Sequence, residues 1–185
     1  MKLVVGLGNP GRKYEGTRHN VGYMVLAELT RRASSQGTKK AFQGEVADIT
    51  VGSDRVLLLW PHTYMNRSGA SVLAARDFYK LTNADVLIVC DDLNLPLGKL
   101  RFRSQGSAGG QKGLADTIRV LGTEEVPRLR VGIGEVPTGW DAADFVLARF
   151  TRQEQTMIDE AVVRGAEGVE TWVRRGIQDS MNQFN

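Results

Sequence analysis

Residues 4–29 read VVGLGNPGRKYEGTRHNVGYMVLAEL. Gly6, Gly8 and Gly11 follow a short apolar run, the arrangement from which a dinucleotide-binding strand–loop–helix unit would start. Such a unit needs its third glycine to open a helix whose N-terminus holds the pyrophosphate. It also needs an acid about 20 residues further on for the ribose. Here Pro10 and Gly11 lead into RKYEGTRHN, where Gly16 and a run of polar residues delay helix entry. The position where the acid should stand falls in TRR, residues 30–32. The stretch is therefore read as a glycine turn that lets backbone pass close to a neighbour. That reading leaves Asn9 unexplained, and with it His19 between Arg18 and Asn20.

Outward from this stretch, short apolar β-branched runs alternate with amphipathic ones. KLVVGL (2–7) and DVLIVC (85–90) have the pattern of buried strands. EVADITV (45–51) and RVLLLW (55–60) predict an antiparallel pair across a GSD turn. In GKLRFRSQG (98–106) Leu100 and Phe102 alternate with Lys99, Arg101 and Arg103, so a strand would turn those cations to one side. RLRVGIG (128–134) is a further strand. Helical spacing predicts helices over 21–32, with SSQG as a stop, over 68–81, over GLADTIRVLG (113–122) and over 151–175. The polar end DSMNQFN is expected to be loosely held. Apolar runs interleaved with helices indicate an α/β domain, and the hairpin makes its sheet mixed.

A chain of 185 residues fits one domain, 1–185, with a C-terminal helical part from about 141 to 185. Its 42% hydrophobic and 24% charged residues are ordinary for a globular protein. The single cysteine, Cys90, excludes an internal disulfide framework and a thiolate metal cluster. No secretory leader precedes the first strand, and no run approaches the roughly 18–20 apolar residues of a membrane span. A cytoplasmic protein with no membrane partner is expected. The net charge of +3 permits a polyanionic partner without demanding one.

Sites in open α/β sheets form outside the carboxyl ends of strands. Asn9 follows the first strand; PHTYMNRSG (61–69), with Tyr64, Met65 and Asn66, follows RVLLLW; DDLNLPLG (91–98), with Asp91 and Asp92, follows DVLIVC. Were these exits to meet beside His19, they would put an imidazole, carboxylates and two carboxamides in one cleft. The chain has no Gly-x-Ser-x-Gly elbow and only two histidines, without His-Glu-x-x-His spacing. What remains is a histidine base that activates water, an acid on its far nitrogen and amides on the group under attack. Each member has a plainer reading. These are His19 capping or packing a helix start, His62 as a rival imidazole, Asp91 and Asp92 ending a strand and opening a turn, and Asn66 capping the helix near Ser68. Lys99, Arg101, Arg103, Arg128 and Arg130 exceed what one solvated face needs and would suit an RNA backbone.

VVGLGNPGRKYEGTRHNVGYMVLAEL, PHTYMNRSG, DDLNLPLG, GGQKGL (109–114) and RLRVGIG, in this order, resemble bacterial peptidyl-tRNA hydrolase. The resemblance implies a monomeric α/β fold with a twisted mixed sheet and helices on both faces. It implies hydrolysis of the ester between a peptide and the 3′ end of tRNA, recycling that tRNA, with no metal and no cofactor. Carried over by position, His19 is the general base, Asp91 its supporting acid, and Asn9 the residue that favours a peptide amide over a free amino group. Asn66 is a catalytic and tRNA-contact position. Tyr14 and Tyr64 are tRNA contacts, Met65 is a neighbouring cleft position, and Arg103 and Arg130 are basic positions for the tRNA 5′-phosphate end. One departure stands out: the family commonly has GGHNGL where Gln111 and Lys112 stand here. Lys112 only donates and carries charge, so it is kept as a tRNA contact and not as a water-positioning group. The altered motif leaves open an RNA-binding protein that has lost the esterase activity. A nucleotide-dependent oxidoreductase is the third reading, against which the missing acid and missing helix entry speak.

Overall fold

The computed structural model describes residues 1–35 and 37–185. Seven strands form one sheet in the order β2-β3-β4-β1-β5-β7-β6. They are β1 (Lys2–Gly6), β2 (Lys39–Ala41), β3 (Gly44–Val51), β4 (Asp54–Pro61), β5 (Val86–Asp92), β6 (Leu100–Arg103) and β7 (Arg128–Gly132). The neighbours β4, β1, β5 and β7 run parallel, while β2, β3 and β6 pair antiparallel at the flanks. The sheet is mixed, as the hairpin pattern predicts.

Helices cover both faces. α1 (Val21–Arg32), α4 (Ala142–Leu147), α5 (Arg152–Arg175) and α6 (Ile177–Phe184) lie on one side, α2 (Ser68–Phe78) and α3 (Lys112–Leu121) on the other. Alternate strand residues serve alternate layers. Val4, Leu58, Val89 and Leu129 join Val25 and Trp172 in one core, and Leu3, Leu57 and Ile88 join Val72 and Leu114 in the second. Burial on both faces is why β1 and β5 read as unbroken apolar runs and not as alternating ones.

The opening glycines act in packing. A Cβ on Gly22, in the first turn of α1, would stand 2.5 Å from the Val89 carbonyl oxygen and 2.7 Å from Leu7 N and O. A Cβ on Gly6 would stand 2.5 Å from the Gly22 carbonyl. The pair lets α1 start directly against the ends of β1 and β5.

The structure departs from the sequence expectations at several places. β5 runs through Asp92, so Asp91 and Asp92 are strand residues. β2 turns into β3 through Phe42 and Gln43, both at positive φ (52° and 57°), residues that carry no hairpin-turn signal. α4 is a six-residue helix capped by Asp141, whose side chain accepts from the Ala143 amide at 2.7 Å. α2 ends at Phe78, ahead of Lys80 with φ 52°. Gln36, in the SSQG stop, lies outside the described residues. The C-terminal end is packed, contrary to expectation. Ser180 is buried and donates to the Gly168 carbonyl at 3.0 Å, and the Asn185 amide brackets the open edge of β6, accepting from Phe102 N at 2.6 Å and donating to its oxygen at 3.1 Å.

Gly22→Ala sets two effects against each other. Helix propensity favours alanine by roughly 1 kcal/mol, while forcing a methyl against rigid backbone costs about 1–3 kcal/mol or more. The variant is expected to unfold at a lower urea concentration than the wild type; an unchanged or higher midpoint would show that α1 has room to move off the strands.

Candidate active site

Because β4, β1 and β5 are adjacent and parallel, their carboxyl ends lie side by side. α1 and α3 both begin at this rim. The result is a cleft of about 670 Å³ whose walls include Asn9, His19, Tyr64, Met65, Asn66 and Asp91. The three strand exits and the His19 imidazole do meet.

His19 sits in a 3-10 turn, Arg18–Asn20, that leads into α1. Its Nδ1 is 2.8 Å from Asp91 Oδ2. In a bond to a carboxylate the Nδ1–H donates, so the neutral ring carries its lone pair on Nε2. Strand alternation separates the two acids. Asp91 shares the face of Val89 and meets His19, whereas Asp92 shares the face of Cys90, accepts from Asn94 N at 2.7 Å and pairs with Arg130 Nη1 at 3.3 Å. Asp91 is only 3% exposed, and its other oxygen accepts from Gln111 Nε2 at 3.0 Å.

Both residues flanking His19 hold the turn. The Asn20 side chain pairs reciprocally with the backbone of Asn9, accepting from its N at 2.9 Å and donating to its O at 3.0 Å. The Arg18 guanidinium donates to both oxygens of Glu154, at 3.0 and 2.8 Å, and lies 4.3 Å from the Phe145 ring centroid and 4.9 Å from that of Phe150. Burial pushes the Glu154 carboxyl up, but the bonds from Arg18 and Thr151 outweigh it and leave its pKa below the ordinary value. Arg18 thereby ties the His19 turn to α4 and α5. Its place beside a candidate base was the available signal for Arg18 and Asn20, and it identified neither role. In the sequence Gln111 stands out only as a departure from a motif.

The two carboxamides differ. Asn9 Oδ1 accepts from Met65 N at 2.8 Å, which orients its amide nitrogen away from that backbone. Asn66 is exposed on the cleft wall, in the 3-10 turn Met65–Arg67, and α2 has no side-chain cap, so Asn66 is not a helix cap. Tyr64 is 56% exposed, with φ 59° and ψ 158°, a conformation that non-glycine residues rarely adopt. Met65 is buried, with Sδ 3.1 Å from Gln111 Nε2.

Of the cations, Lys112 and Arg130 line the cleft, Lys112 exposed at the start of α3 and Arg130 also bonded to the Ser107 carbonyl at 3.1 Å. Arg101 and Arg103 are exposed on β6, outside the cleft wall. Lys99 precedes β6 and bonds to the Asn185 carbonyl. Arg128 does not belong with them: it is buried, and donates to the carbonyls of Val126 at 2.6 Å, Gly106 at 2.6 Å and Glu124 at 3.1 Å, holding loops together. Tyr14 lies off the cleft wall with the Lys13 ammonium 4.7 Å from its ring centroid, and His62 is exposed outside the cleft. Cys90 is fully buried, which pushes its thiol pKa up and removes it as a nucleophile. Among the described residues no cluster of His, Cys, Asp or Glu could hold a metal ion, and no helix is long and apolar enough to cross a membrane.

Comparison with known proteins agrees with this architecture. The sequence profile of the peptidyl-tRNA hydrolase family matches residues 3–185. A peptidyl-tRNA hydrolase of Rhodopirellula baltica is 49% identical over 185 residues, covering 100% of this chain and 97% of that protein. One of Desulfitobacterium hafniense is 45% identical and covers 100% of both. The crystal structure of peptidyl-tRNA hydrolase from Acinetobacter baumannii superposes with a TM-score of 0.93 at 34% identity, covering 100% of this chain and 94% of that one.

Backbone strain at Tyr64 is open to measurement. Alanine keeps the strained conformation, whereas glycine relaxes it at some entropic cost in the unfolded chain. Tyr64→Gly is expected to be more stable than Tyr64→Ala by about 1 kcal/mol or more in urea titrations. Equal stabilities would mean that the turn stores no strain there.

Proposed function

The chain belongs to the peptidyl-tRNA hydrolase family, and from that membership we propose that it hydrolyses the ester joining a peptide to the 3′ end of tRNA with His19 as the general base. The observation that carries this reading is the 2.8 Å bond from His19 Nδ1 to Asp91 on the wall of an open cleft that also holds Asn9 and Asn66. Water beside His19 gives its proton to Nε2 as its oxygen bonds to the ester carbonyl carbon. The imidazolium that forms is stabilised by the Asp91 carboxylate. The tetrahedral oxyanion is met by the Asn66 carboxamide, an arrangement suited to charge that develops only in the transition state. Collapse of the intermediate breaks the bond to the ribose oxygen, and the proton passes from His19 to that oxygen. The products are the peptide carboxylic acid and tRNA with a free terminal hydroxyl.

Asn9 supplies selectivity. With Oδ1 held by Met65 N, its amide presents donors to the substrate. A peptide carbonyl accepts from them, while the ammonium of an aminoacyl-tRNA would set donor against donor. Tyr64 offers an exposed ring on which a terminal base can stack. Lys112 and Arg130 serve phosphate or sugar oxygens at the cleft, and Tyr14 and Arg103 serve parts of the tRNA that extend beyond it. The alternative of an inactive RNA-binding protein rests on the altered GGQKGL motif, whose Gln111 donates a hydrogen bond to Asp91.

Single-turnover hydrolysis of N-acylated aminoacyl-tRNA separates the two readings. The wild type is expected to release free tRNA, and His19→Ala to slow release by about 10²–10⁴-fold, the usual worth of a general base. Near-normal release by the variant would remove His19 from the mechanism. Replacing Arg103 or Arg130 with glutamine is expected to weaken tRNA binding and flatten its salt dependence while sparing a minimal peptidyl-nucleoside ester. Equal losses on both substrates would contradict phosphate contacts.

A further inference from the structure

We infer that Gln111 is a positioning residue for the His19–Asp91 pair: it holds one carboxylate oxygen of Asp91 so that the other is kept for the imidazole. The inference rests on the proposed reading of His19 as base. Asp91 is nearly sealed from water and has two oxygens to satisfy. Oδ2 meets His19 Nδ1 at 2.8 Å and Oδ1 meets Gln111 Nε2 at 3.0 Å. The direction of the Gln111 amide is not a matter of choice. Its Oε1 accepts from the Leu114 backbone N–H at 2.7 Å, and a backbone N–H can only donate, so the NH₂ end is the one turned to Asp91.

The same side chain therefore does two separable things. At the N-cap of α3 it satisfies an orphan helix amide, and across the rim of the sheet it donates to Asp91. The carboxylate torsion of aspartate is broad and roughly two-fold. Without the Gln111 donor its two oxygens become equivalent competitors for the His19 ring, and the Oδ1 site inside the protein is left without a partner. The His19–Asp91 bond then has two geometries in place of one, and the aim of Nε2 at the cleft is no longer fixed. A glutamine amide does not titrate, so the donor itself is present at every pH.

Gln111→Ser distinguishes the two tasks. Serine is a strong N-cap, so α3 keeps its cap, but the hydroxyl is too short to reach Asp91. The variant is expected to fold with α3 intact but to melt at a lower temperature than the wild type, because an Asp91 oxygen loses its donor, to keep KM, and to lose kcat by about tenfold or more through misplacement of the base. The second readout needs no activity. The chain has only two histidines, His19 and the exposed His62, so the ring nitrogens of His19 are readily assigned by ¹⁵N NMR. In the wild type they should report a single state with Nδ1 protonated, and in Gln111→Ser the Nδ1 signal should shift and broaden as the bond to Asp91 exchanges between its two oxygens. Wild-type kcat together with unchanged His19 shifts in Gln111→Ser would overturn the proposal and leave Gln111 a helix cap. If the wild type did not cleave the ester at all, the base assignment would fail, yet the nitrogen shifts would still decide whether Gln111 governs the His19–Asp91 bond.

Discussion

A carboxylate buried to the extent of Asp91 must be met by hydrogen-bond donors, because a charged oxygen left bare inside a protein costs more than almost any packing contact returns. Asp91 is met from both layers of the fold. His19 comes from the start of α1 on one face of the sheet, and Gln111 from the start of α3 on the other. The bonds around this one side chain therefore fix where two helices begin relative to the end of β5. Other features serve the same geometry. β5 must extend through Asp91 to aim it at the α1 face, and Gly6 and Gly22 must be bare for α1 to come down far enough.

A second theme is how carboxamides are aimed. An amide side chain can be turned end for end, and backbone groups decide which end points where. The Met65 N–H claims Asn9 Oδ1, the Leu114 N–H claims Gln111 Oε1, and Asn20 faces both the N–H and the C=O of Asn9. Asn9 then presents one known face to the cleft and Gln111 one to Asp91, while Asn20 holds the backbone of Asn9 in place. Asn66, exposed on the cleft wall, is the contrast, and it is the carboxamide we propose for charge that appears only during reaction. Arg18 completes the frame by carrying the His19 turn onto α4 and α5 through Glu154 and two aromatic rings.

Much of the fold was legible from local pattern. Apolar runs located β1 and β5, the alternation in EVADITV and the tight turn after it located the β3–β4 hairpin, and helical spacing located α1, α2, α3 and α5. What escaped was structure with no local signature. The turn between β2 and β3 is made by Phe42 and Gln43, which other contacts hold at positive φ. α6 looked like a polar tail because its core contacts are few: Ile177, Met181 and Phe184 at helical spacing, packed against a core built elsewhere. Arg128 and Arg130 are alternate residues of one strand and look alike in sequence. One ties down loop carbonyls from within and the other reaches the cleft, a difference made by the turns packed around each.

The sequence by itself determined that the chain forms an α/β fold with a mixed sheet, that its glycine loop is not a dinucleotide site, and which side chains stand at the strand exits. These follow from periodicity, turn chemistry and spacing, all of which act over a few residues. Only the tertiary structure decided that β4, β1 and β5 lie side by side so that those exits converge, that Asp91 and not Asp92 meets His19, and that Gln111 is the other partner of that acid. Those outcomes depend on strand order and on the register at which a helix start meets a strand end. Both are set by contacts between segments some 20 to 90 residues apart, whose pairing no local pattern encodes.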